Sequence, residues 1–174
     1  MIIRRTAIEI ILRMGIEIIR RAAIDNSRPP AGTPREISLM NKGKAMIAIV
    51  DDDESVCRAL KRLVRSLGME ADTFLSGQEF LDLVEAMPSF GADCVVLDVQ
   101  MPLINGLEVQ RRLAAGGSRL PIIFITAHDD ASVRERALGQ GAVAFLRKPF
   151  DEELFIRTLH AALARGGGAP PGAD

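Results

Sequence analysis

From residue 45 onward the chain alternates between two hydrophobic periods. Short apolar runs rich in Val and Ile (AMIAIV, DCVVL, PIIFI, AVAFLR) are separated by stretches in which apolar residues recur every three or four positions. The first kind reads as strands buried on both faces, the second as amphipathic helices. This predicts strands over 45–50, 69–74, 93–98, 121–126 and 142–147, and helices over 54–67, 77–87, 106–115, 130–139 and 151–164. In the first helix Val56, Ala59, Leu60, Leu63, Val64 and Leu67 mark the buried stripe, and Gly68 closes it. Ser76 is an N-cap for the second, with Glu79 three residues on completing a capping box. Five βα units joined by right-handed crossovers give a parallel sheet with helices on both faces.

Each apolar run ends in a polar residue: Asp51 and Asp52, Asp98, Thr126, and Lys148. In open parallel α/β sheets the carboxyl ends of the strands are where ligands gather. Three carboxylates there repel one another, each pair about 4 Å apart by roughly 4 kcal/mol at an effective dielectric near 20. Something cationic must offset this. A small hard divalent ion such as Mg²⁺ suits oxygen ligands, and no His/Cys cluster competes for a softer metal. With Lys148 as a second positive charge and Thr126 as a hydroxyl donor, the site suits a phosphoryl group carried on a carboxylate oxygen.

Composition narrows the partners. The net charge of −1 hides a split, because residues 1–45 hold nine Lys/Arg against four Asp/Glu. The remainder is acidic, which argues against nucleic acid as its direct partner. Cys57 and Cys94, far apart in sequence, read as small buried hydrophobes, consistent with a reducing compartment such as the cytoplasm. Residues 1–44 form a basic leader and linker. In its first 24 residues Glu9, Arg13, Glu17 and Arg20 fall on one helical stripe, and no apolar span approaches the roughly 20 residues of a membrane crossing. The leader could lie on a membrane surface, pack on a partner, or be an upstream, non-native extension without functional consequence. Residues 166–174 read as a flexible tail.

The motifs IVDDDESV, VVLDVQMPLINGLE, IFITAH and FLRKPF, in that order, resemble the response-regulator receiver domains of two-component signalling, most closely the FixJ-type branch. The resemblance covers about residues 45–165 and implies a doubly wound, flavodoxin-like (βα)5 fold with strand order 2-1-3-4-5. It implies that Asp98 accepts phosphorus from a histidine kinase or phosphotransfer protein. Asp51, Asp52, Asp98 and the backbone carbonyl of Gln100 would hold Mg²⁺, and Lys148 and Thr126 would meet the phosphoryl group. Phe145 would be the aromatic switch, turning inward as Thr126 moves, and the change would be read on the face made by the fourth helix, fifth strand and fifth helix. Gln100 and His128 match positions that tune hydrolysis of the acyl phosphate, and Ala127 leaves room for it. Asn105 stands where many relatives have Asp.

The resemblance implies self-catalysed phosphotransfer and dephosphorylation rather than metabolic enzymology. After Ala164 no helix-turn-helix pattern or basic segment follows, so the expectation is a stand-alone receiver signalling to a downstream protein without touching DNA. Whether phosphorylation drives a dimer stays open. Two alternatives remain. A haloacid-dehalogenase-like aspartyl phosphatase would use Asp51, Asp53 and Ser55, which only approximate its D-x-D-x-T pattern. A fragment of a LuxR-type regulator lacking its DNA-binding half would explain RGGGAPPGAD as the start of a linker. A flavodoxin-like cofactor binder is excluded, because DDDE in the first loop would repel a phosphate.

Overall fold

The computed structural model describes residues 43–87 and 90–166. Most of the predicted leader and all but the first residue of the predicted tail lie outside the described residues, as do Pro88 and Ser89. The elements run β1 (Met46–Val50), α1 (Glu54–Ser66), β2 (Glu70–Phe74), α2 (Gly77–Ala86), β3 (Cys94–Asp98), α3 (Gly106–Ala115), β4 (Ile122–Thr126), α4 (Ala131–Gly139), β5 (Ala144–Arg147) and α5 (Glu152–Gly166). The strands pair in parallel in the order β2-β1-β3-β4-β5, the doubly wound arrangement expected. No helix among the described residues is long and apolar enough to cross a membrane.

The three inner strands explain their own sequences. β3 and β4 are buried at every residue and β1 at all but its first, so polar side chains are excluded until the strand ends. One face of the sheet packs Ile47, Ile49, Cys94, Val96, Ile123 and Ile125 against Cys57, Leu60 and Val64 of α1 and Phe155, Leu159 and Ala162 of α5. The alternate residues, among them Val50, Leu97 and Phe124, are buried on the other face. There α3 packs on Phe124 through Gly106, and Phe80 of α2 meets Phe74 edge to face at 5.2 Å.

Helix ends follow their capping residues. The Asp53 side chain accepts from the Ser55 and Val56 N–H groups at the start of α1, and Gly68 ends that helix at φ 81°. Ser76 accepts from Glu79 N–H at 3.1 Å. The return arm of the expected capping box is displaced by one residue, for Glu79 accepts from Leu75 N–H at 2.9 Å. β5 starts two residues later than the pattern predicts. Ala142 N–H is spent closing α4 onto Ala137 O, and only from Val143, which donates to Ile122 O, does the chain join the ladder.

Candidate functional site

The chain reverses direction across the sheet between β1 and β3, and a crevice opens beyond their carboxyl ends. Into it project the residues that end both strands. Asp51 is 1% and Asp98 4% exposed, whereas Asp52 is exposed. Oxygens of the three carboxylates lie within 4.8 Å of one another. Lys148 arrives from the end of β5, where its N–H donates to Thr126 O at 2.7 Å and its bond to Pro149 is cis. Its ammonium donates to Asp51 Oδ2 at 2.6 Å and to Asp98 Oδ1 at 3.1 Å.

The local backbone fixes these side chains. Asp51 donates its N–H to Phe74 O and accepts Asp53 N–H on Oδ1 at 2.9 Å, so its other oxygen faces Lys148. Asp53, committed to capping α1, is held below the usual carboxylate range by its bonds to Ser55. That commitment removes the second aspartate which a D-x-D phosphatase reading requires. Behind Asp98 sits Gly106, the first residue of α3. A Cβ there would come within 2.4 Å of Asp98 O and 2.9 Å of the Phe124 ring. Asn105 caps the same helix by accepting Glu108 N–H at 2.9 Å, so the departure from Asp at this position preserves the cap.

Burial pushes the Asp98 carboxyl above its ordinary pKa of 3.8, with the Asp51 and Asp52 charges adding to the rise and Lys148 opposing it. Burial alone would lower Lys148, but its hydrogen bond to Asp51 and the charges of Asp98 and Asp51 raise it. The ammonium is therefore firmly charged, yet a single positive charge faces three carboxylates. An all-oxygen donor set with this excess of negative charge fits a hard divalent cation such as Mg²⁺. Burial also raises the two thiols, Cys57 to about 11 and Cys94 to about 12, so both behave as core side chains rather than nucleophiles.

The remaining predicted residues surround this rim unevenly. Gln100 is exposed two residues beyond Asp98. Thr126 ends β4 fully buried, but its hydroxyl donates to His128 O at 2.9 Å and accepts His128 N–H at 3.2 Å. His128 itself is exposed, as is Ala127. Phe145 is only 9% exposed, with its ring centroid 6.1 Å from that of Phe124. The two rings are cross-strand partners on β4 and β5, and the Thr126 hydroxyl is engaged by its own loop. Two residues escape a reading of the sequence, Gly106 behind Asp98 and Arg134, whose guanidinium lies over the Phe145 ring at 5.4 Å, and Asn105, noted for its departure from Asp, was not read as a cap. For Gly106 and Asn105 the signal was local, an Asn-Gly pair opening an apolar helical stripe.

Comparison with known proteins agrees with this architecture. A family described as the response regulator receiver domain matches residues 47–160. The chain is 43% identical over 124 residues to the response regulator protein TmoT of Ectopseudomonas mendocina, covering 71% of this chain and 55% of that one. It is 36% identical over 120 residues to the transcriptional regulatory protein FixJ of Bradyrhizobium diazoefficiens, covering 69% and 57%. The chain thus spans about half the length of the curated relatives it matches. Among solved structures, a response regulator receiver protein from Burkholderia phymatum is 61% identical, with a TM-score of 0.63 over 74% of this chain and 100% of that one.

Proposed function

The chain belongs to the response regulator receiver domain family, a phosphorylation-controlled signalling module of two-component systems, and from that premise we propose that Asp98 is the residue that carries its phosphoryl group. The observation that carries the reading is the Lys148 ammonium bonded to both Asp51 and Asp98, the latter nearly buried at the end of β3. A carboxylate oxygen of Asp98 attacks the phosphorus of a phosphohistidine on a kinase or phosphotransfer protein. The phosphorus–nitrogen bond breaks, and the imidazole leaves with the electron pair and takes up a proton. Lys148 pairs with a phosphoryl oxygen, and the Thr126 hydroxyl leaves His128 O to donate to another. Asp51, Asp52, Asp98 and the Gln100 carbonyl would hold Mg²⁺, which when bound supplies positive charge against the phosphoryl oxygens. Gln100 and His128, both exposed and two residues beyond Asp98 and Thr126, would tune hydrolysis of the acyl phosphate.

The signal passes to a downstream protein in the cytoplasm through the face made by α4, β5 and α5. The expected test is incubation with acetyl phosphate and Mg²⁺ followed by intact mass measurement. The wild type gains one labile phosphoryl adduct and Asp98→Asn gains none. Removal of residues 1–44 leaves labelling unchanged. An adduct on Asp51 instead would overturn the assignment in favour of a phosphatase-like nucleophile.

A further inference from the structure

At the amino-terminal edge of the sheet, the end opposite Asp98, a cavity of about 220 Å³ opens between α3, the loop leading into β4 and the turn that joins α4 to β5. Its apolar lining is aliphatic: Leu113 of α3, Leu120 and Pro121 of the loop, Ile122 at the start of β4, and Val143 just before β5. Its charge is one-sided. Arg119 and, in the last turn of α5, Arg165 both line the cavity and both are exposed, whereas none of its lining residues is acidic. Neither guanidinium has a hydrogen bond or ion pair among the described residues. The chain from residue 46 onward is acidic overall, so two unpaired cations beside an aliphatic wall stand apart from it. Towards α4 the wall is set by a buried amide. Gln110, 3% exposed, donates from Nε2 to Ala137 O at 3.0 Å, which fixes the orientation of its amide, and its Oε1 is buried without a partner. Ala137 O also accepts Ala142 N–H. Gln140 and Gly141, within the turn so closed, line the cavity as well.

We propose that this cavity binds a small aliphatic carboxylate, its chain against the apolar lining and its charge met by Arg119 and Arg165. The volume is of the right order, for an engineered cavity of roughly 150 Å³ holds benzene and a chain of about six carbons is of similar bulk. Each part of the lining selects one property of the ligand. The aliphatic surface rewards an apolar body, by about fourfold in affinity per buried methylene, without regard to charge. The arginines select the anion, and their planar forks match a carboxylate. A cationic ligand finds no counter-charge in the lining. The occupant would lie against Gln110, Gln140 and Gly141, and so against the turn that closes the C-terminal end of α4. The inference goes beyond the assignment of Asp98 and does not rest on it, because the cavity and the acidic rim lie at opposite ends of the strands.

The test is nitrogen-15 NMR of the full chain titrated with hexanoate, with hexanol as the body without the charge and acetate as the charge without the body. Saturable shifts are expected at the Gln110 side-chain amide and at the backbone amides of Gln140, Gly141 and Val143, with a dissociation constant of about 1 mM. Acetate binds more than about 10-fold more weakly. Arg119→Gln and Arg165→Gln each weaken hexanoate about 2- to 5-fold and leave hexanol unchanged, which separates recognition of charge from altered packing. Ala114→Leu, at an exposed helical position that lines the cavity, fills the space with a good helix former and weakens hexanoate and hexanol alike. Resonances remote from the cavity that superimpose on the wild type establish that each variant is folded. Shifts that do not saturate, that centre on Lys148, or that are equal for hexanoate and acetate would overturn the proposal. So would a hexanoate affinity indifferent to both arginines.

Discussion

Asp98→Asn should make the metal-free protein more stable while removing the acceptor function proposed for Asp98. Two Coulomb interactions of opposite sign act on the Asp98 charge. Lys148 at 3.1 Å attracts it by roughly 5 kcal/mol at an effective dielectric of about 20. Asp51, with an oxygen within 4.8 Å, repels it by roughly 3.5 kcal/mol at the same dielectric. Exposed Asp52 adds a smaller, water-screened repulsion. These terms nearly cancel, so the cost of taking the carboxylate out of water decides the sign. Burial as the first cause of the raised pKa agrees. An asparagine keeps the shape and an oxygen to accept from Lys148 but carries no charge to desolvate. The expected gain is about 1–3 kcal/mol, in the range for neutralising a buried charge without changing its volume.

The assay is equilibrium unfolding in urea followed by far-ultraviolet circular dichroism, since the chain has no Trp or Tyr for intrinsic fluorescence. The midpoint of Asp98→Asn should lie about 1 M above that of the wild type without divalent cations. Mg²⁺ should close the gap. A free concentration ten times the dissociation constant stabilises the native state by about 1.4 kcal/mol, and the variant, with one anionic ligand fewer, gains less. A variant less stable than the wild type, or a Mg²⁺ series that raises both midpoints equally, would refute the electrostatic account of the rim.

The pH dependence follows from the same group. Because the folded pKa of Asp98 lies above 3.8, the stability it contributes is present below that value and is lost as pH rises through the folded pKa. The stability advantage of Asp98→Asn should therefore grow as pH rises above about 4 and level off once Asp98 is ionised in the folded protein, while wild-type labelling by acetyl phosphate also rises as the nucleophile ionises; an advantage that does not change with pH refutes it. Gly106→Ala should cost about 1–3 kcal/mol or more and slow labelling, because its methyl would sit 2.4 Å from the Asp98 carbonyl oxygen, a backbone atom that cannot rotate away. Gly139→Ala, which meets nothing within 4 Å, should instead stabilise by about 0.4–1 kcal/mol; equal effects at the two glycines in urea unfolding would contradict the geometry. Leu103 is 97% exposed with φ 68°, so Leu103→Asn should stabilise by about 0.5–1 kcal/mol, read as a higher urea midpoint, as strain in the left-handed region is relieved without loss of burial.

What was legible in the sequence, and what was not, divides along a physical line. The inner strands of a parallel sheet buried on both faces tolerate few polar side chains, so Asp51, Asp98, Thr126 and Lys148 stood out as polar residues closing apolar runs, and the topology then brought the carboxylates and the lysine together. Ser76 and Gly68 were equally visible because capping is local, whereas the cap made by Asp53 emerged only from the structure. Contacts that depend on how far a helix leans against the sheet leave no such trace. Gly106 is one helical glycine among several until Asp98 O is found 2.4 Å from where a side chain would begin. Arg134 is one of many surface arginines until α4, with a single buried residue, is seen to set it over Phe145. The division has a functional consequence. The acidic rim is specified by strand ends and should vary little with helix packing, whereas α4 is held by a few side-chain ties, so under the proposed reading substitutions at those ties are expected to alter output while leaving labelling at Asp98 in place.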